Sequence, residues 1–122
     1  MTKKQDLISW LKKKKQKIFV EVKNTTLFRN KKIAEFPDSI TSRGSKHLKT
    51  LITAIKKGYK SYLLFLVQIQ GAESFKIAAD IDKEYYENYL LAKKAGVKFL
   101  AYRCKINSKE IKIEKKIKII NA

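Results

Sequence analysis

Cysteine, proline and acidic side chains are scarce in this chain, and each scarcity narrows what it can be. A single cysteine, Cys104, excludes an internal disulfide, and with His47 as the one histidine no Cys/His set has metal-ligand spacing. Cys104 sits in an apolar, strand-like segment and is expected to be a buried structural thiol. Pro37 is the one proline and glycine occurs four times, so no Pro- or Gly-rich linker divides the chain. The longest apolar run, around residues 62–67, is far short of the roughly 20 residues that span a bilayer. The opening Met-Thr-Lys-Lys-Gln-Asp lacks the apolar stretch of a signal peptide, which points to a cytoplasmic protein. A length of 122 residues with 44% hydrophobic content is enough for one packed core, so residues 1–122 are expected to form one domain.

What is abundant is lysine. Lys and Arg total 29 against 11 acidic residues, a formal net charge of +18, and only Arg29, Arg43 and Arg103 are arginines. Such a balance draws a chain toward phosphate backbones through counterion release, which makes nucleic acid the first partner to consider. The same lysine skew, beside many Ile and Asn, is also what an AT-rich coding sequence imposes. Charge therefore speaks to association, and the functional argument passes to particular residues.

Residues 6–11 and 17–23 read as two strands joined by the basic turn at residues 12–15. In the second, Phe19, Glu21 and Lys23 share one face while Ile18, Val20 and Val22 share the other. Residues 24–36 are polar, with a brief strand near Thr26 and Phe28 before a loop. Leu48, Leu51, Ile52 and Ile55 fall at helical spacing, with Thr41 or Ser42 as N-cap and Gly58 as the stop. Residues 59–70 are apolar too continuously for a one-sided sheet, which favours a central strand covered on both faces. A short connection leads to a second helix capped by Asp82, turning Tyr86, Tyr89 and Leu90 inward and closed by Gly96. Two strands follow, over residues 97–106 and 110–120, the last with Ile/Lys alternation interrupted near residues 114–116. The fold class is α/β, a mixed central sheet flanked by two main helices.

Glu21-x-Lys23 is a weak signal alone, because such triplets are frequent where 33% of residues are charged. Its setting strengthens it. A hairpin would bring Asp6, in the first strand, beside Glu21. Two neighbouring carboxylates hold Mg²⁺ or Mn²⁺, since hard cations choose oxygen ligands, and an adjacent lysine orients water and offsets phosphate charge. That is the logic of the PD-(D/E)xK, or restriction-endonuclease-like, nuclease fold.

Two blocks carry a closer likeness. Phe19-Val20-Glu21-Val22-Lys23-Asn24-Thr25-Thr26-Leu27, followed by Phe36-Pro37-Asp38-Ser39-Ile40-Thr41-Ser42-Arg43-Gly44-Ser45-Lys46-His47-Leu48, resembles the signature of the sugar fermentation stimulation protein family. Leu64-Phe65-Leu66-Val67-Gln68, Ile81-Asp82, Tyr85 and Ala95-Gly96-Val97 agree in order and spacing. The resemblance implies a carboxy-terminal nuclease-like domain in a family regarded as DNA-binding and linked to regulation of sugar utilisation. Nothing here corresponds to that family's amino-terminal OB-fold half, so the chain is expected to be truncated relative to it, with a separate OB-fold half as a partner. The family's Ser-Arg-x-Asp segment is matched only at Asp6.

These readings define the expected sites. Asp6 and Glu21 are the candidate metal ligands for Mg²⁺, Lys23 the residue that assists the attacking water, and Asp38 a third carboxylate or simply an Asx turn after Pro37. Arg43 and His47, four apart at the start of the first helix, suit phosphate binding together with Thr41 and Lys46, helped by the helix amino terminus. DNA binding through the phosphate backbone is the leading expectation. A Mg²⁺-dependent nuclease is the alternative, and a non-functional structural remnant is the third. No helix-turn-helix or zinc motif supports base readout.

Overall fold

The computed structural model describes residues 17–121. The expected first strand of the hairpin at residues 6–11, its basic turn and Asp6 lie outside the described residues. Seven strands and two helices follow in the order β1 (Ile18–Thr25), β2 (Leu27–Asn30), β3 (Ile33–Phe36), α1 (Ser42–Lys56), β4 (Lys60–Val67), β5 (Ser74–Ile77), α2 (Lys83–Ala95), β6 (Lys98–Ile106) and β7 (Ile111–Ile119). The sheet order is β1-β4-β6-β7-β5-β3-β2. It is mixed: β6–β7 and β2–β3 are antiparallel, and the other four pairs are parallel. This is the expected α/β class.

Both helices form where local signals place them. Thr41 is extended and its hydroxyl accepts the Gly44 N–H at 2.9 Å, capping α1. Leu48, Leu51 and Ala54 recur at helical spacing and are buried, and Ser61 of β4 donates to the Leu51 carbonyl at 3.0 Å, tying strand to helix. In α2, Asp82 caps Tyr85 N at 3.0 Å and Gly96 ends the helix in the left-handed region at φ 112°. The buried stripe is Tyr85, Asn88, Tyr89 and Ala92: Tyr89 is inward as expected and Tyr86 packs half-buried against the core, but Leu90 is not inward. Spacings of three and four from Tyr85 define that stripe, which rotates Leu90 to the surface.

The connections hold more sheet than expected. Asn30 and Ile33 pair across Lys31 and Lys32, the latter at φ 68°, so the expected loop is a tight hairpin between β2 and β3. The short connection after β4 contains β5, whose Phe75 and Ile77 are buried while Ser74 and Lys76 face outward, a period of two over only four residues.

On the helix face, Phe65 forms the centre of the core. Its ring lies 4.4 Å from Phe75 and 5.6 Å from Phe36, and Phe99 stands 4.4 Å from Tyr89 of α2. The other face differs from expectation. β4 lies between two parallel neighbours, as a central strand should, with Ser61, Leu63, Phe65 and Val67 buried. Yet Tyr62, Leu64 and Leu66 are only half-buried, because α1 and α2 pack on the same side of the sheet.

Candidate nucleic-acid site

Glu21 and Lys23 share one face of β1, as read from the sequence; that face is turned toward the helices, and α1 brings His47 over them. Lys23 Nζ lies 2.6 Å from His47 Nδ1 and 3.6 Å from Glu21 Oε1, while His47 Nδ1 is 3.3 Å from Glu21 Oε1. All three side chains are between 16% and 28% exposed, so the cluster is reachable from solvent yet partly shielded from it. Nδ1 serves one neighbour at a time: it accepts from the Lys23 ammonium, or, when protonated, donates to the Glu21 carboxylate. The arrangement holds a cation against a carboxylate beside a titratable ring, and both cationic groups present donors to an incoming anion.

The other expected residues fall around this cluster. Thr41 is the N-cap of α1, and Arg43 and Lys46 are exposed on its first turns. His47 is held by β1, 24 residues away in sequence, rather than acting only beside Arg43. Asp38 is exposed and accepts from the Ser39 hydroxyl at 3.4 Å. Among the described residues no group of three His, Cys, Asp or Glu is placed to hold a metal ion. The start of α1 is not an open anion site either. Asp82 Oδ2 takes the Thr41 N–H at 2.8 Å and sets a buried carboxylate against that end of the helix, which offsets its positive field.

Sequence reasoning missed a second ionic cluster, at the far end of the sheet. The Glu35 side chain is wholly buried and receives Arg29 through Nη2 at 2.6 Å and Nε at 3.0 Å. Arg29 also forks onto Asp80 at 2.6 and 2.8 Å, and Lys76 stands 3.9 Å from Glu35. Hydrogen bonding from Arg29 holds the Asp80 carboxyl down at about 2. The two carboxylates raise the guanidinium still further above its ordinary value. With both partners engaged, Arg29 fastens β2 to β3 and to the segment before α2. The signal for it was the two-residue turn at Lys31 and Lys32, which folds Arg29 back toward Glu35.

Tyr85 is a further residue whose placement only the fold shows. It is fully buried, its ring lies 5.3 Å from Phe36, and its hydroxyl has no hydrogen-bond partner among the described residues. Burial, then the nearby Tyr89, Asp82 and Glu21, push its ionisation well above the ordinary phenol value.

Residues 2–110 match the family described as the sugar fermentation stimulation protein RE domain. The chain belongs to the sugar fermentation stimulation protein family. A homologue of that family from Pelagibacter ubique is 82% identical over 112 residues, covering 92% of this chain and 48% of the relative. One from Bartonella quintana is 37% identical over 103 residues, covering 84% and 44%. The solved structure of Pyrococcus furiosus SfsA in complex with Ca²⁺ superposes with a TM-score of 0.77 at 29% identity, over 84% of this chain and 45% of that one. The resemblance carried by the Glu21-x-Lys23 and Pro37-Asp38 blocks is therefore borne out, as is the restriction-endonuclease-like fold. The chain spans about half the length of the curated relatives it matches. Among the described residues no helix is long and apolar enough to cross a membrane.

Proposed function

We propose that this member of the sugar fermentation stimulation family binds DNA through the phosphate backbone, at the end of the sheet where β1 meets α1. The observation that carries the reading is the convergence of Lys23 and His47 from distant parts of the chain on one half-buried spot. Lys23, and His47 when protonated, donate to phosphate oxygens, and Arg43 and Lys46 extend the cationic surface along α1. The net charge of +18 supplies the sequence-independent attraction.

Binding of duplex DNA followed by fluorescence anisotropy at rising salt tests it. The logarithm of the affinity falls linearly with the logarithm of salt, by about 0.9 per phosphate contacted. The double variant Lys23→Ala, His47→Ala binds more weakly, with a slope shallower by about 1 to 2. Retention that is absent, or indifferent to salt, removes this reading and leaves a structural remnant.

A second reading, a Mg²⁺-dependent nuclease cutting phosphodiester bonds, draws on the pairing of Glu21 with Lys23 and on the Ca²⁺ complex of the Pyrococcus relative. Glu21 is the one carboxylate in the described cluster, and the Lys23 ammonium already bridges it to His47. The described donors alone do not fit a divalent cation, and Asp6, the expected second ligand, lies outside the described residues. A nuclease would show Mg²⁺- or Mn²⁺-dependent cleavage that disappears in Glu21→Ala and in Lys23→Ala. Cleavage that survives both substitutions ends this reading.

A further inference from the structure

The outer face of the sheet carries an apolar surface that α1 and α2 leave open. Parallel register places Val20 beside Tyr62 and aligns Val22, Leu64 and Leu100 in one row across three strands. Val20, Tyr62, Leu64 and Leu100, with Ile113 of β7, line a shallow groove of about 490 Å³ on that face. Val20 is 49%, Val22 47% and Ile113 59% exposed. A contiguous apolar face of this kind marks an interaction surface, whereas scattered exposed apolar side chains need no explanation.

Charge decides what fits it. Register sets Lys60 beside Ile18, Lys98 beside Tyr62 and Lys116 beside Tyr102, so among the described residues the paired rows of this face carry lysines and no carboxylate. Two copies of the chain, each at +18, would bring these lysines toward one another, which disfavours self-association through the face. A partner with an apolar centre ringed by Asp and Glu matches both features. The relatives point to its source. This chain covers 48% of the Pelagibacter protein and 45% of the Pyrococcus chain, so each carries a comparable length of polypeptide outside the matched stretch.

We propose that the outer face of β1, β4 and β6 docks the polypeptide that makes up the remaining half of the relatives, through an apolar centre with an acidic rim. The proposal concerns the face opposite the Glu21–Lys23–His47 cluster and stands independently of the DNA-binding reading.

Co-expression of this full chain with the part of the Pelagibacter ubique relative that lies outside the matched stretch tests it. Co-purification, light scattering and binding at rising salt are the readouts. A one-to-one complex that weakens with salt is expected, with affinity reduced roughly tenfold or more by Val20→Asp and by Lys98→Glu. Leu91→Asp, on the exposed side of α2, leaves the complex intact. Circular dichroism of each variant shows that the fold is retained. The proposal is overturned by the absence of a complex, by a complex indifferent to both face substitutions, or by self-association or intramolecular cover of the face by residues 1–16 in place of the partner.

Discussion

Asp82 joins the starts of the two helices: one carboxylate oxygen accepts the Thr41 N–H at 2.8 Å and the other accepts the Tyr85 N–H at 3.0 Å. One side chain thus caps α2 and fixes the residue that caps α1, the helix that carries His47. Removing it leaves two backbone donors unmet in a buried place. Asp82→Ala is expected to cost about 2 kcal/mol, roughly 1 for the lost cap and 1 for the stranded Thr41 N–H. Urea denaturation measures it, and Asp82→Asn should recover part of the loss because an amide oxygen still caps.

Gly44 supplies closeness in the first turn of α1. A Cβ there would lie 2.8 Å from Thr41 Cγ2 and 3.1 Å from Tyr85 Cε2. Alanine is the better helix former, yet Gly44→Ala is expected to destabilise by about 1 to 3 kcal/mol through overpacking against a buried ring. A melting temperature equal to or above that of the wild type would contradict this.

Tyr85 and Tyr89 are buried with hydroxyls that lack partners among the described residues, and burial pushes both phenols up, Tyr89 to about 12. Their folded values exceed the unfolded value of about 10, so the stability they support is complete below that pH and is lost as pH rises through the folded values. A spectrophotometric titration should show these two tyrosines ionising above the ordinary phenol value. Tyr85→Phe removes an unpaired buried hydroxyl and should be neutral or stabilising by up to about 1 kcal/mol, with a smaller alkaline loss than the wild type. Tyr85→Ala, which empties the ring's space beside Phe36, should cost about 3 to 5 kcal/mol.

The Arg29 cluster predicts an acid limb. Hydrogen bonding from Arg29 depresses Asp80 to about 2, so its contribution is present above the ordinary carboxylate value and disappears as pH falls through about 2. Asp80 is 64% exposed, which keeps the effect modest. Asp80→Asn should therefore melt below the wild type near neutrality and close to it near pH 2. Arg29→Ala is the more damaging change at neutral pH, because among the described residues it leaves the wholly buried Glu35 with only Lys76 at 3.9 Å. Thermal melts at the two pH values give both comparisons.

Local features were legible in the sequence wherever a few neighbouring residues decide them. Both helices, the Thr41 and Asp82 caps, the Gly96 stop and the shared face of Glu21 and Lys23 follow from periodicity and capping, which act over one or two turns or a single strand. The short strands β2, β3 and β5 escaped because four residues give too little alternation to stand out, and their stability comes from partners elsewhere in the sheet. The interruption near Glu114 was visible as a broken alternation, and the sheet explains it. Register shifts opposite Arg103 and Cys104, which leaves Ile111 and Ile113 exposed while Ile117 is buried.

By itself the sequence determined the α/β class, the two capped helices, the basic character and the family blocks, since each is written in composition or in short-range spacing. Tertiary structure alone decided that His47 joins Glu21 and Lys23, that Arg29 reaches Asp80 across 51 positions, and that both helices pack on one face of the sheet and not on the other. Those outcomes depend on strand order and on which side the helices pack. Strand order and helix side are settled by long-range pairing and burial across the whole chain, where no local pattern of residues reaches.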